Sequence, residues 1–149
     1  MSIFIPDCLR APWPEDYPPA GELLKAAEDV RGRAYAPYSQ FCVGAAVLAE
    51  GAPEFFTGCN VENGSFSLSM CAERNAAGAM VAAGFKKPLA VAVAGESGMP
   101  CMPCGACRQF LAEFNPSLLV VLREGAEAAV ISLAKLFPAP FLFFPEEGQ

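Results

Sequence analysis

Two thiols three residues apart, Cys104 and Cys107, are the first feature of this sequence that could do chemistry. Positions i and i+3 share one face of a helix. Pro103, just before them, suits a helix start, where the dipole and unbonded N–H groups favour thiolates. The spacing serves a zinc site or a redox pair alike. A third cysteine upstream, Cys71, is followed two residues later by Glu73. Residues i and i+2 diverge by about 200° on a regular helix, so Cys71 and Glu73 face one pocket only if Cys71 stands where the helix begins. Three protein ligands with an open fourth position make a catalytic zinc site, whereas a structural site takes four. A carboxylate beside the open position is then the proton carrier.

Cys101 repeats the spacing with Cys104 and is the competing fourth thiol, but Pro103 as a helix start leaves it in the loop outside the shared face. Cys8, Cys42 and Cys59 read as packing residues, since free cysteine is commonly buried without metal. Three thiolates on Zn²⁺ leave a net negative charge, which opposes ionisation of a zinc water and calls for a nearby cation. Arg74, next to Glu73, and Arg108, next to Cys107, are the two candidates.

The chain has 149 residues, seven cysteines and no histidine, which removes Ser-His-Asp triads, Cys-His pairs and His-x-x-x-His zinc sites. With 54% hydrophobic and 17% charged residues, one compact domain over 1–149 is expected. The mean hydropathy of +0.33 is high, yet no apolar stretch is long enough to span a membrane, so the excess points to oligomerisation. A net charge of −6 repels phosphate backbones and argues against a nucleic-acid polymer; a small neutral or cationic ligand fits better. The opening residues carry no export signal, and the odd cysteine count favours reduced thiols in a cytoplasmic protein.

Elements that could position these groups follow from the patterning. Residues 11–19 are too proline-rich for regular structure and read as an irregular surface arm, about 1–20. Helical spacing runs over 21–35. Residues 41–49 and 54–59 read as a hairpin, 71–83 as a helix of small residues stopped by Gly84, 89–94 as a buried strand, 104–114 as a helix and 118–122 as another buried strand. A helical turn at 132–137 precedes the apolar cluster 141–144. The helix and strand alternation predicts an α/β fold with a mostly parallel sheet preceded by an antiparallel hairpin.

Cys71-Ala72-Glu73-Arg74 and Pro103-Cys104-Gly105-Ala106-Cys107-Arg108-Gln109 together resemble the paired zinc motifs of the cytidine deaminases, a class whose non-ligand Glu and three-cysteine variant are general knowledge. Residues 36–41, 43–46 and 58–63 also look like family segments in family order, so the resemblance covers about 23–141. It implies a three-layer α/β/α fold with a mixed five-stranded sheet and one zinc per subunit on Cys71, Cys104 and Cys107. Glu73 would carry a proton from water to the ring nitrogen and then to the departing amine. Asn60 and Glu62 would hold the ribose hydroxyls, and Phe41 would pack on the pyrimidine. The backbone N–H groups of Ala72 and Cys104 and the carbonyl of Met102 would meet the base and the leaving ammonia.

The implied reaction is hydrolytic deamination of cytidine and deoxycytidine in pyrimidine salvage, on free nucleoside, by a homotetramer in which Phe141 reaches a neighbouring site. Phe141 could instead fill its own subunit's core. Met102, residues 65–67, Asn75 and the arm depart from commoner family choices. Two other readings stay open. A blasticidin-type aminonucleoside deaminase shares the zinc motifs but lacks the Asn60-to-Asn63 pattern, and a non-catalytic thiolate-zinc module would close its site with Cys101 and leave Glu73 idle.

Overall fold

Gly44–Ala49 is apolar or glycine at every position, and the strand it forms, β1, is buried along its whole length. A strand without polar alternation must be covered on both faces. The computed structural model describes residues 5–96 and 98–143. Among these, α1 is Ala20–Arg31, β2 is Phe56–Cys59, α2 is Ala72–Ala82, β3 is Pro88–Ala94, α3 is Gly105–Phe114, β4 is Leu119–Glu124, β5 is Glu127–Ser132 and α4 is Leu133–Leu136. The strands form one sheet in the order β2-β1-β3-β4-β5.

Alternate residues of each strand divide the core. Leu23, Leu24 and Ala27 of α1 pack with Ala46, Leu48, Ala90, Ala92 and Val121 on one face. Ala76, Ala77 and Met80 of α2, with Leu111 and Ala112 of α3, pack with Ala45, Val47, Val91, Val93 and Val120 on the other. The result is the expected α/β fold, a mixed five-stranded sheet between two helical layers.

The sheet corrects three expectations. It is not mostly parallel: β1 is antiparallel to both β2 and β3, β4 is antiparallel to β5, and only β3 and β4 pair in parallel. β2, β3 and β4 do share one direction, as strand-helix-strand connections require. However, β1 lies between β2 and β3, so α2 crosses over it. β5 is the second correction, since patterning assigned no strand between 122 and 132. Its buried residues are only Ala129 and Ile131, too little apolar alternation to stand out, and the tight turn before it rests on Gly125 at φ 61°. The hairpin's first strand also begins at Gly44 rather than 41, because Gln40 at φ 58° turns the chain out of the ladder ahead of Phe41.

Residues 10 and 11 of the arm run along the outer edge of β5. Arg10 bridges to Ile131, and the Ala11 N–H donates to the Val130 carbonyl at 3.1 Å. Arg10 Nη2 reaches both oxygens of Glu124 at 3.0 and 2.8 Å, while Lys135 Nζ holds the Arg10 carbonyl at 2.8 Å. An unpaired sheet edge is a template for association, and a strap of this kind blunts it. Residues 1–4 of the arm and Phe144 of the tail cluster lie outside the described residues.

Two glycines set how closely the helices approach the sheet. A Cβ on Gly44 would strike the Ala27 carbonyl of α1 and lie 2.8 Å from the Arg31 nitrogen. One on Gly58 would strike the Ala76 nitrogen of α2 and lie 2.8 Å from the Ala72 carbonyl oxygen. These obstacles are backbone, so Gly58→Ala should lower stability by about 1–3 kcal/mol or more, or about 2–4 °C of Tm per kcal/mol. Gly21→Ala in α1, where nothing lies within 4 Å of the added carbon, should be neutral or stabilise by up to about 1 kcal/mol. Thermal unfolding of both variants checks the pair; a native Tm for Gly58→Ala would contradict the close-approach argument.

Candidate active site

Two helices start at cysteines. Cys71 is the N-cap of α2 and Cys104 the N-cap of α3, both in extended backbone conformation, with Cys107 in the first turn of α3. Cys71 therefore stands just ahead of its helix, the placement that the two-residue offset from Glu73 demanded. The Sγ atoms of Cys71 and Cys104 are 3.9 Å apart, and the three Sγ atoms all lie within 4.8 Å of one another. A tetrahedral zinc with Zn–S bonds of about 2.3 Å separates its sulfurs by about 3.8 Å, so this donor set fits one zinc ion with small adjustments. Both sulfurs stand at helix N-termini, where unbonded N–H groups gather.

The thiols are electrostatically coupled to one another. A hydrogen bond from Cys107 holds the Cys71 thiol down at about 5, helped by Arg74 and Cys104 and opposed by burial. The same bond, followed by burial, pushes Cys107 upward. Arg74 Nη2 lies 3.8 Å from Cys71 Sγ and donates to the Ser69 carbonyl at 3.0 Å. Arg108 gives its Nε–H to the Pro103 carbonyl at 2.9 Å, clamping the loop ahead of α3. Of the two candidate cations, the structure brings Arg74 to the thiols and uses Arg108 as a loop clamp.

Cys101 is outside the sulfur cluster. Burial, then the charges of Glu73 and Cys71, push its thiol up to about 11, against the ionised form that a ligand needs. It nevertheless lines the same cavity, a placement that sequence reasoning missed.

That cavity, of about 300 Å³, brings together Cys71, Ala72, Glu73, Cys104, Phe41, Asn60 and Glu62, along with Ser39, Val43, Cys101 and Met102. Glu73, in the first turn of α2, is only 4% exposed, and burial is the main reason that its carboxyl sits above the usual carboxylate range. Phe41, by default a core residue in a strand, is 40% exposed at the cavity wall instead. A second cavity of about 430 Å³ abuts the first through Ser39, Asn60, Glu62 and Cys71 and extends to Tyr38, Phe66, Ser69 and Met70.

Asn60 and Glu62 face the cavity and also build it. The Asn60 carboxamide accepts from the Val43 N–H at 2.8 Å and donates to the Phe41 carbonyl at 2.9 Å, while its backbone N–H donates to the Val43 carbonyl at 3.1 Å. The Glu62 carboxylate accepts from the Tyr38 and Ser39 N–H groups at 2.9 and 3.2 Å and from the Ser39 hydroxyl. That hydroxyl bond is the main cause of the lowered Glu62 pKa. The signal for this double duty was the run from Ala36 to Phe41, whose Pro and Ser break any strand pattern. Phe141 is not in the core: its ring is 75% exposed, while Gln109 pins its backbone with bonds of 2.6 and 2.9 Å.

The profile of the cytidine and deoxycytidylate deaminase zinc-binding region matches residues 19–123, starting where the arm ends. The chain is 42% identical to the cytidine deaminase of Sporosarcina psychrophila over 122 residues, 80% of this chain and 89% of that protein. It is 38% identical to that of Halalkalibacterium halodurans over 121 residues, covering 80% and 91%. A crystal structure of the cytidine deaminase from Burkholderia pseudomallei superposes with a TM-score of 0.75 at 45% identity, covering 81% of this chain and 98% of that one. The matched span encloses all three clustered thiols and the cavity beside them, and this chain belongs to the cytidine deaminase family.

Proposed function

We propose that this protein hydrolyses cytidine and deoxycytidine to uridine and deoxyuridine with release of ammonia, using one zinc held by Cys71, Cys104 and Cys107. The observation that carries the reading is Glu73, a carboxyl buried in the cavity lined by two of the three clustered thiols. When bound, zinc supplies the Lewis acidity that makes water a nucleophile near neutral pH.

The chain's own residues do the rest. Glu73 takes a proton from the water that adds at C4 and delivers it to the adjacent ring nitrogen. Again a carboxylate, it takes the proton of the new C4 hydroxyl and passes it to the amine, which leaves as ammonia as the C4–N bond breaks and the C4 carbonyl forms. A carboxyl raised by burial suits a group that must both accept and donate. Phe41 packs on the pyrimidine, and the Ala72 and Cys104 N–H groups with the Met102 carbonyl orient the base and the leaving ammonia. Asn60 and Glu62 receive the ribose hydroxyls, and a carboxylate there repels phosphate, so free nucleoside is preferred. Arg74 offsets the charge of the thiolates.

The whole chain acts as one deaminase domain with its arm, in cytoplasmic pyrimidine salvage, as a homotetramer. Exposed apolar groups beside the second cavity support assembly: Phe66 and Leu68 are 74% and 64% exposed, and Phe141 offers its ring to a neighbouring subunit. No helix among the described residues is long and apolar enough to cross a membrane. The thiolate-module reading is disfavoured because Cys101 is outside the cluster and Glu73 is inside the cavity.

Glu73→Gln should keep one zinc per chain by metal analysis while losing about 100-fold or more in kcat by ultraviolet assay of cytidine. Turnover within a few-fold of native would sink the assignment. Competition of cytidine against blasticidin separates the two deaminase readings, and preferential turnover of blasticidin would reverse them. Solution scattering at micromolar concentration should give four times the 15.7 kDa chain mass; the mass of a single chain would contradict the tetramer.

A further inference from the structure

The chain leaves β3 at Gly95, behind the cavity wall. A Cβ built there would lie 3.0 Å from Cζ of Phe41 and 3.1 Å from both Cβ and Sγ of Cys101. The ring tip and the thiol therefore rest on the bare backbone of residue 95. Gly95 is not among the positive-φ residues, so space and not backbone conformation is what a side chain would violate.

The backbone at this point is held from two directions. The Arg31 guanidinium of α1 donates to the Gly95 carbonyl from the opposite helical layer. On the other side, Ala94 pairs with Pro100 and folds the following loop back against β3. With the strand anchored, an added methyl group must be absorbed by the two side chains it meets, and both line the cavity. Phe41 would be pushed toward the cavity, and Cys101 would be displaced with it.

We infer that Gly95 is a specificity-determining positioning residue, whose missing side chain lets Phe41 and Cys101 stand back and thereby sets the width available to a substituted pyrimidine. This rests on the reading of the cavity as a nucleoside site. Position 95 acts only through its two neighbours, so its effect has a sign. Filling the space at 95 narrows the slot, and removing the Cys101 sulfur widens it.

The experiment compares the native enzyme, Gly95→Ala, Cys101→Ala and the double variant, all zinc-loaded and checked for metal content and Tm. The readout is kcat and KM for cytidine and for 5-methylcytidine, together with a crystal structure of Gly95→Ala. One methyl group in an apolar pocket is worth about 10-fold or more in discrimination. Gly95→Ala should lower the ratio of kcat/KM for 5-methylcytidine over cytidine by about that factor, mainly through KM, with zinc content unchanged. Cys101→Ala should raise the ratio, and the double variant should return it toward native.

In the crystal structure, the Phe41 ring of Gly95→Ala should be displaced into the cavity. Unchanged ratios in both single variants, or equal losses on both substrates without recovery in the double variant, would overturn the inference. A native enzyme that deaminates neither nucleoside would instead overturn the functional reading. The position of the Phe41 ring would then decide the inference alone, an undisplaced ring sinking it.

Discussion

Three sulfurs lie within 4.8 Å of one another in a chain without histidine, so ionising more than one of them sets like charges side by side. The fold is arranged around that constraint. Cys71 and Cys104 each cap a helix, so two sets of unbonded N–H groups and two positive dipole ends converge on the cluster. Arg74 adds a full charge from the same helix that carries Cys71. The hydrogen bond between Cys71 and Cys107 lowers the Cys71 thiol and raises that of Cys107.

Bringing two helix starts to one point requires both helices to lie close on one face of the sheet, and small residues make that possible. α2 presents Ala72, Ala76 and Ala77 to the core, and Gly58 in β2 lets its backbone come nearer than any side chain would allow. Asn75 of α2 ties the same junction by donating to the Cys59 carbonyl at 2.8 Å. This links the helix that begins at Cys71 and carries Glu73 to the strand end that carries Asn60 and Glu62. The departure at Asn75 thus has a packing role: it fixes the thiol side of the cavity relative to the opposite side.

The site was legible in the sequence where a local angular rule applied. The two-residue offset between Cys71 and Glu73 required Cys71 to precede its helix, and Pro103 separated Cys101 from the ligand face; both follow from helix geometry alone. The cap positions and most helix limits came within a residue or two for the same reason. What was not legible depends on contacts between distant segments. The placement of β1 between β2 and β3 is decided by where α2 lies, which no local pattern encodes. β5 carries too few large apolar residues to announce itself, and it is paired on one side by β4 and strapped on the other by the arm. The second role of Asn60 depends on Gln40 first turning 41–43 out of the ladder.

That second role changes how the cavity should be understood. Asn60 and Glu62 are not simply side chains presented to a ligand by a rigid frame, because their hydrogen bonds hold Tyr38 through Val43 in place. The same segment carries Phe41, whose ring rests on Gly95, whose carbonyl is held in turn by α1 across the sheet. The wall facing the thiols is therefore continuous from the polar residues through the aromatic ring to the opposite helical layer. In such a wall, recognition of the sugar and placement of the ring are one structural problem. A change at Asn60 or Glu62 loosens the loop that sets Phe41 as well as removing a polar contact, so their separate contributions cannot be additive.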